Sequence, residues 1–403
     1  LHNKHVLLIT STNLACNPRC RKELDLLYQS GAVVTVLAFN LNNWSETQEA
    51  AIRHQYPAVK FYYLDASRAT FWPWLIASIF EKICRLLAAW MPRHTAIAAY
   101  AVSKRSWLLC RWVKKNTNRY HLVIAHNPAA FYAALLIGKQ QQIPFALDIE
   151  DYHPGEAGMA TVKPSLQLLM QQLIPAAAYT SFASPLIQSA VQKLLGDTVK
   201  HGIVVNNYFP SGYFFLNEKP LPEVLQLVWF SQNIDHGRGL EQLLPVMEQY
   251  IGKATLTLIG NADTDFCRQH IQDKKHIQIM ASLPLPQLCA TLALYDAGLA
   301  LEPGKDENNN LALSNKILSY YQAGLYIVAS TTPAQTLFLQ QQPQHGICTG
   351  LTQDALTSTI NWLIEHKHML RQQKAARFAN ASATGWQQES GLLLREWMRV
   401  LTD

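Results

Sequence analysis

Ser314, Asn315 and Lys316 head a run, 315–330, that reads Asn-Lys-Ile-Leu-Ser-Tyr-Tyr-Gln-Ala-Gly-Leu-Tyr-Ile-Val-Ala-Ser. The pattern predicts a short helix closed by Gly324 and followed at once by a buried strand. A helix start offers unpaired backbone N–H groups and the positive end of the helix dipole, and a lysine in its first turn adds a full charge. Such a site suits a phosphate. Ser319 lies one turn further along. A second cation, Arg238, stands between Gly237 and Gly239. Two cations on linked phosphates would stabilise negative charge growing on a leaving group.

Three further groups have the right chemistry for a reacting centre. His126 follows the apolar stretch Leu122–Ala125, and the carboxyl end of a strand is where open α/β sheets carry ligands. A lone histidine is more often a packed structural residue than a catalytic one. Asp148, Glu150, Asp151 and Glu156, with His153 among them, leave another strand end. That cluster has donors for a metal, but acids at such junctions also cap helices and bind backbone amides. Asp151 and His153 suit an acceptor-side role, and in a reaction that inverts configuration Asp151 is the first candidate for the base that deprotonates a hydroxyl. Glu302, in Leu301-Glu302-Pro303-Gly304, is a further carboxylate near the same chemistry.

Apolar runs of strand length alternate with helical patterns along the chain, which predicts parallel α/β architecture. His5–Thr10 reads as a strand buried on both faces, Asn17-Pro18 as a helix start, Gly31 as its end, and Val33–Phe39 as the next strand. Further strands are expected at Val59–Leu64, Leu122–Ala125 and Phe145–Asp148, with a helix from Ala129 to about Gln140. Periodicity lapses over Asn206–Pro222, where Asn, Tyr, Pro and Gly gather, and a linker is expected there. A second series follows, with strands at Leu225–Ser231, Thr255–Ile259 closed by Gly260, His276–Met280, Ala297–Leu301 and Tyr326–Ala329. The fold class expected is α/β, two tandem Rossmann-like doubly wound domains facing a central cleft. Their expected bounds are 1–205 and 206–380, with a C-terminal helix over 381–403 packing back on the first.

The length of 403 residues exceeds what one core usually holds, and 49% hydrophobic against 15% charged residues describes a folded globular chain. Seven scattered cysteines without a C-x-x-C pair argue against a disulfide framework or zinc site and for a reducing compartment. No secretory leader is expected, because the first strand begins almost immediately. The apolar run Phe71–Met91 is interrupted by Glu81, Lys82 and Arg85 and is not expected to span a bilayer. From Lys82 to Arg119 nine cations occur with no acid among them, interleaved with Trp90, Trp107 and Trp112. That composition suits an anionic membrane surface, or else a pair of amphipathic core helices with a solvated basic face. With a net charge of only +6 and no RNA or DNA module signature, nucleic acid is not an expected partner.

The motif Asn-Lys-x-x-x-Tyr-x-x-Ala-Gly-x-x-x-Val-Ala-Ser at 315–330 resembles the nucleotide-sugar loop and helix of GT-B glycosyltransferases, specifically the family-4-like group also called glycosyl transferases group 1. Asn17-Pro18-Arg19, Ile124-Ala125-His126-Asn127-Pro128, Val204-Val205-Asn206-Asn207 and Gly237-Arg238-Gly239-Leu240-Glu241 resemble further landmarks of that family, in its order, over nearly the whole chain. The resemblance implies a glycosyltransferase of bacterial cell-surface glycan assembly, retaining and metal-independent. Its expected donor is a UDP- or GDP-sugar, with no separate cofactor, and its expected acceptor a glycan or lipid-linked glycan.

By the same resemblance Arg238, Gly239, Gly260, Asn315, Lys316 and Ser319 would contact the donor. It also implies that His126 faces the donor sugar and acceptor; Glu302 near the sugar and Asp151 with His153 on the acceptor side are expected from their positions in this chain and not from the family pattern. The implied residence is the cytoplasm, peripheral on the inner membrane face. Two departures stand out. Ser231-Gln232 occupies the place of a usual first base, and Leu311 and Ser319 stand where the family commonly has two glutamates. A non-catalytic GT-B binding subunit and a sugar-nucleotide epimerase are the alternatives.

Overall fold

The computed structural model describes residues 1–217, 221–272 and 274–402. Contacts divide the chain into two compact units, 1–206 with 390–403, and 207–389.

The first unit is a seven-stranded parallel sheet in the order β3-β2-β1-β4-β5-β6-β7. Its strands are β1 (His5–Thr10), β2 (Val33–Asn40), β3 (Lys60–Asp65), β4 (Leu122–His126), β5 (Phe145–Ile149), β6 (Tyr179–Phe182) and β7 (Gly202–Val204). The second unit is a six-stranded parallel sheet in the order β10-β9-β8-β11-β12-β13. Here the strands are β8 (Leu225–Ile234), β9 (Ala254–Ala262), β10 (Ile277–Met280), β11 (Ala297–Ala300), β12 (Tyr326–Ser330) and β13 (Gly346–Thr349). This is the doubly wound α/β class expected from the alternation of runs.

Parallel sheets are covered by helices on both faces, so central strands read as unbroken apolar runs. Val6, Leu7, Leu8 and Ile9 of β1 are fully buried and lie between Val34–Leu37 of β2 and Leu122–Ala125 of β4. The helix after β1, Pro18–Gln29, starts with proline at its first turn, and the Asn17 side chain accepts from Cys20 N–H. β6 and β13 escaped the sequence pattern because each has only four residues, and the middle of β6 is polar. Thr180 and Ser181 are nevertheless completely buried.

The connection from β3 to β4 carries three helices, Phe71–Trp90, Thr95–Val102 and Lys104–Lys115. The last buries Ser106, Leu108, Leu109, Cys110 and Val113 while Arg111, Lys114 and Lys115 stay exposed. This part of the basic segment is therefore a core helix with a solvated basic face. No helix among the described residues is long and apolar enough to cross a membrane.

The final helix, Trp386–Thr402, closes the first unit. Trp397 is fully buried and its indole N–H donates to the Tyr179 hydroxyl at 2.7 Å, while Arg399 donates to the Ala178 carbonyl at 2.8 Å. Replacing Trp397 by alanine removes a large buried ring and orphans the Tyr179 hydroxyl. A loss of about 3–5 kcal/mol is expected, read as a lowered midpoint in urea with early proteolysis of the C-terminal helix.

Candidate functional site

In doubly wound sheets the crevice for a ligand opens at the carboxyl ends of the strands where strand order reverses. In the second unit that point lies between β8 and β11. The loop after β8 carries Arg238, the residue two beyond β11 is Glu302, β12 ends at Ser330, and the helix Asn315–Gln322 starts at Lys316's turn. Three of the residues singled out from sequence meet here.

Glu302 Oε1 accepts from Lys316 Nζ at 2.8 Å and from the Ser314 hydroxyl at 2.9 Å. Ser314 caps the helix, its hydroxyl also accepting from the Lys316 N–H. The Lys316 ammonium lies 5.4 Å from the centroid of the buried Trp229 ring. Burial pushes the Glu302 carboxyl up, but the charge and hydrogen bond of Lys316, the Ser314 hydroxyl and the charge of Arg238 outweigh it and hold the group below its ordinary value. Glu302 is thus an ionised carboxylate held among two cations. Its own backbone is fixed too: Glu302 N–H donates to Ser330 Oγ, Ser330 Oγ donates to the Glu302 carbonyl, and Gln335 donates to Ser330 Oγ.

Arg238 rises between Gly237 and Gly239, both left-handed at φ +71° and +80°, and donates to Ser231 Oγ at 2.9 Å. A Cβ at Gly239 would lie 2.7 Å from the Leu301 carbonyl oxygen, so only glycine lets this loop sit against the end of β11. At Gly260 in β9 a Cβ would lie 2.5 Å from the Ser231 carbonyl, beside the irregularity in β8 between Phe230 and Asn233. These glycines shape the bed of the site through backbone packing. Asn315 and Ser319 take other parts: Asn315 Oδ1 accepts from Asn207, and the buried Ser319 hydroxyl donates to the Asn315 carbonyl at 2.9 Å. Ser319 therefore turns its hydroxyl back along its own helix.

In the first unit strand order reverses between β1 and β4. Thr10 Oγ1 and Asn17 Nδ2 donate to Asn127 Oδ1 at 3.2 and 3.3 Å. Asn127 itself has φ 69° and ψ 145°, a conformation that costs a non-glycine residue roughly 1–3 kcal/mol. Strain of this kind concentrates at ligand sites, and Asn127 is a residue the sequence motif contained but did not single out.

His126 sits directly before it, with its ring enclosed among charged side chains. The residue is 1% exposed, with Nε2 3.5 Å from Glu23 Oε2 and Nδ1 3.3 Å from Asp148 Oδ2. Arg19, fully buried, places Nε 2.7 and 2.8 Å from the two Asp148 oxygens and Nη1 2.5 Å from the Val205 carbonyl, and Ser181 adds a 2.6 Å bond to Asp148. Burial disfavours the charged ring, but Cys20, Glu23 and Asp148 around it outweigh burial and hold the His126 pKa well above its ordinary value. Burial likewise raises the Asp148 carboxyl, and Arg19 and His126 overturn that and hold it low. Titratable groups of both signs are thus packed together out of water.

Among the described residues Glu23, His126 and Asp148 offer one metal-ligand atom each within 4.8 Å of one another. Arg19 already brings positive charge to Asp148, and all three are buried, so the set fits an ion network better than a cation site. Asp151 is half-buried in the same unit, and burial with Asp151 and Asp148 nearby pushes Glu150 up to about 7. His153 Nδ1 lies 2.5 Å from Glu156.

Removing His126 leaves buried Glu23 without its cation, and His126→Ala is expected to cost about 3–5 kcal/mol. A raised folded-state pKa contributes stability in full below the ordinary value of 6.5 and loses it as pH rises through the folded value. Urea melts should therefore show a stability decline on the alkaline side of 6.5 in the parent chain. The decline should be absent in His126→Gln. A His126→Ala chain of unchanged stability would remove the network from its structural role.

No protein-family model matches this chain, and no curated protein matches it by sequence. Solved structures do. HepE of Anabaena in complex with UDP is similar at TM-score 0.65 and 15% identity, over 97% of this chain and 100% of that one. A glycosyltransferase from Rickettsia africae matches at TM-score 0.66 and 10% identity, over 99% and 98%. An E. coli trehalose-6-phosphate protein bound with UDP-2-fluoro glucose matches at TM-score 0.62 and 10% identity, over 97% and 98%. The chain has the two-domain α/β fold of the GT-B glycosyltransferases.

Proposed function

We propose that this chain is a glycosyltransferase that takes a sugar from a nucleoside diphosphate donor bound at the carboxyl edge of the second unit. The observation that carries the proposal is the convergence of Arg238, Lys316 and the N-terminus of helix Asn315–Gln322 on one carboxylate, Glu302, at the point of strand reversal. Two cations against one anion leave a positive site, and a diphosphate is the group whose charge grows as the bond to the sugar breaks. Arg238, Lys316 and the helix N–H groups supply that stabilisation themselves, which supports a metal-independent reaction. HepE's binding of UDP on the same fold favours UDP as the base-bearing half.

Glu302, positioned by Ser314, Lys316 and Ser330, is proposed to face the donor sugar. Gly239 and Gly260 are proposed to line the nucleotide's bed, and Asn315 to present the first N–H group. Asp151 is proposed to act on the acceptor side, while His126 acts through position alone by fixing the strand end that carries Asn127. The acceptor is proposed to be a glycan or lipid-linked glycan of the bacterial surface, met by a cytoplasmic protein peripheral to the membrane, with retention of configuration. A second reading, donor binding without turnover, draws support from Ser319, whose buried hydroxyl is spent on Asn315 where the resemblance leads one to expect a carboxylate.

A thermal-shift series with UDP, GDP, ADP, TDP and CDP, with and without Mg²⁺, tests the donor site. A nucleotide at about 100 times its Kd adds about 2.7 kcal/mol of stability. One nucleotide should raise Tm without Mg²⁺, and Arg238→Ala or Lys316→Ala should abolish that rise. In turnover each substitution should cost roughly 100-fold or more while leaving the unliganded Tm of Arg238→Ala unchanged. A shift without any sugar-nucleotide cleavage, with acceptor or water, would select the binding-only reading. Absence of any shift sinks both.

A further inference from the structure

Helix Phe71–Trp90 breaks the rule that the apolar stripe of a surface helix faces its own core. The residues it buries are Ala77 and Cys84, and it packs by that side on the two helices that follow. At 3.6 residues per turn the opposite side presents Trp72, Ile76, Ile79, Ile83, Leu86 and Trp90 in one stripe. All six are exposed, Trp72 at 70%, Leu86 at 72% and Trp90 at 86%. Monomeric proteins rarely leave so long an apolar face in water.

Charge around the stripe has one sign. From residue 66 to 119 there are ten lysines and arginines and one acid, Glu81, which is paired with Arg85 at 2.5 Å. Lys82 flanks the stripe, Arg93 lies beyond its C-terminal end, and Arg68 and Lys104 sit over the Trp74 ring near its N-terminal end. A second copy docked on this face would bring these cations against their own counterparts. A bilayer with anionic headgroups takes both features at once: apolar side chains enter the acyl boundary, tryptophans sit at headgroup level, and cations meet phosphate.

We propose that helix Phe71–Trp90 lies in the plane of an anionic lipid surface with its Trp72–Trp90 stripe sunk into the interface. It thus assigns membrane contact to the helix ahead of most of the cations, since Lys104–Lys115 packs into the core. It deepens the peripheral-membrane part of the functional proposal and is independent of the donor site, whose nucleotide shift does not involve this helix.

Flotation of the full chain with phosphatidylglycerol–phosphatidylcholine vesicles tests it. The parent chain should float at low salt, and less with phosphatidylcholine alone. Trp72→Ser/Leu86→Ser/Trp90→Ser should lower the bound fraction about tenfold or more with circular dichroism and Tm intact, because these side chains touch little of the fold. Lys82→Gln/Arg93→Gln should reduce the preference for anionic vesicles. The proposal falls if the parent chain does not float, or if the triple-serine chain floats equally well. It falls too if sedimentation shows a dimer that the serine substitutions dissolve while vesicles bind nothing.

Discussion

The buried pair of Arg19 and Asp148 is the interaction around which the first unit is organised. Arg19 belongs to the helix after β1, Asp148 to β5, and the same guanidinium holds the Val205 carbonyl just beyond β7. One side chain therefore joins three segments that lie far apart in sequence. Such a pair adds little net stability over apolar packing, but each partner is costly without the other. His126 and Glu23 extend it into a buried cluster of groups of both signs beneath the carboxyl edge of this sheet. Asn127, at the surface of that edge, is held in its strained backbone by Thr10 and Asn17.

The second unit uses the same topology with different electrostatics. Its point of strand reversal gathers Arg238 and Lys316 around a single carboxylate, leaving an excess of positive charge. Glu302 keeps the two cations from spreading apart, and its backbone is pinned by Ser330 and Gln335. The organisation is pre-set before any ligand arrives, which is what makes fixed charges effective when charge develops during a reaction. Close backbone approaches at Gly239 and Gly260 bring β8, β9 and the Arg238 loop to the required depth.

Between β3 and β4 the chain departs from economy. A crossover needs one helix, and this one has three, of which Lys104–Lys115 follows the usual division of apolar core face and charged solvent face. Phe71–Trp90 inverts it. The residues it buries, Ala77 and Cys84, are small, while Trp72, Ile76, Ile79, Ile83, Leu86 and Trp90 face out. Close packing through small residues lets the helix lie tight on its neighbours while its bulk is left for something else.

The amino-acid order by itself determined the alternation of runs, and hence the parallel α/β class, because strands buried on both faces must be apolar throughout and helices must be amphipathic. It also exposed Arg238, Glu302 and Lys316, whose charge and flanking glycines or helix start are local features. What it could not convey was which polar groups are sealed inside. His126 and Asp148 look alike at two strand ends, and only the arrival of Arg19 and Glu23 from another element makes them a closed network. Ser319 likewise looks available until its hydroxyl is seen turned to Asn315. The apolar run at 71–91 was visible, but its outward direction was not. Periodicity reports that a stripe exists, and the side to which it turns is decided by what the rest of the chain leaves for it to pack against.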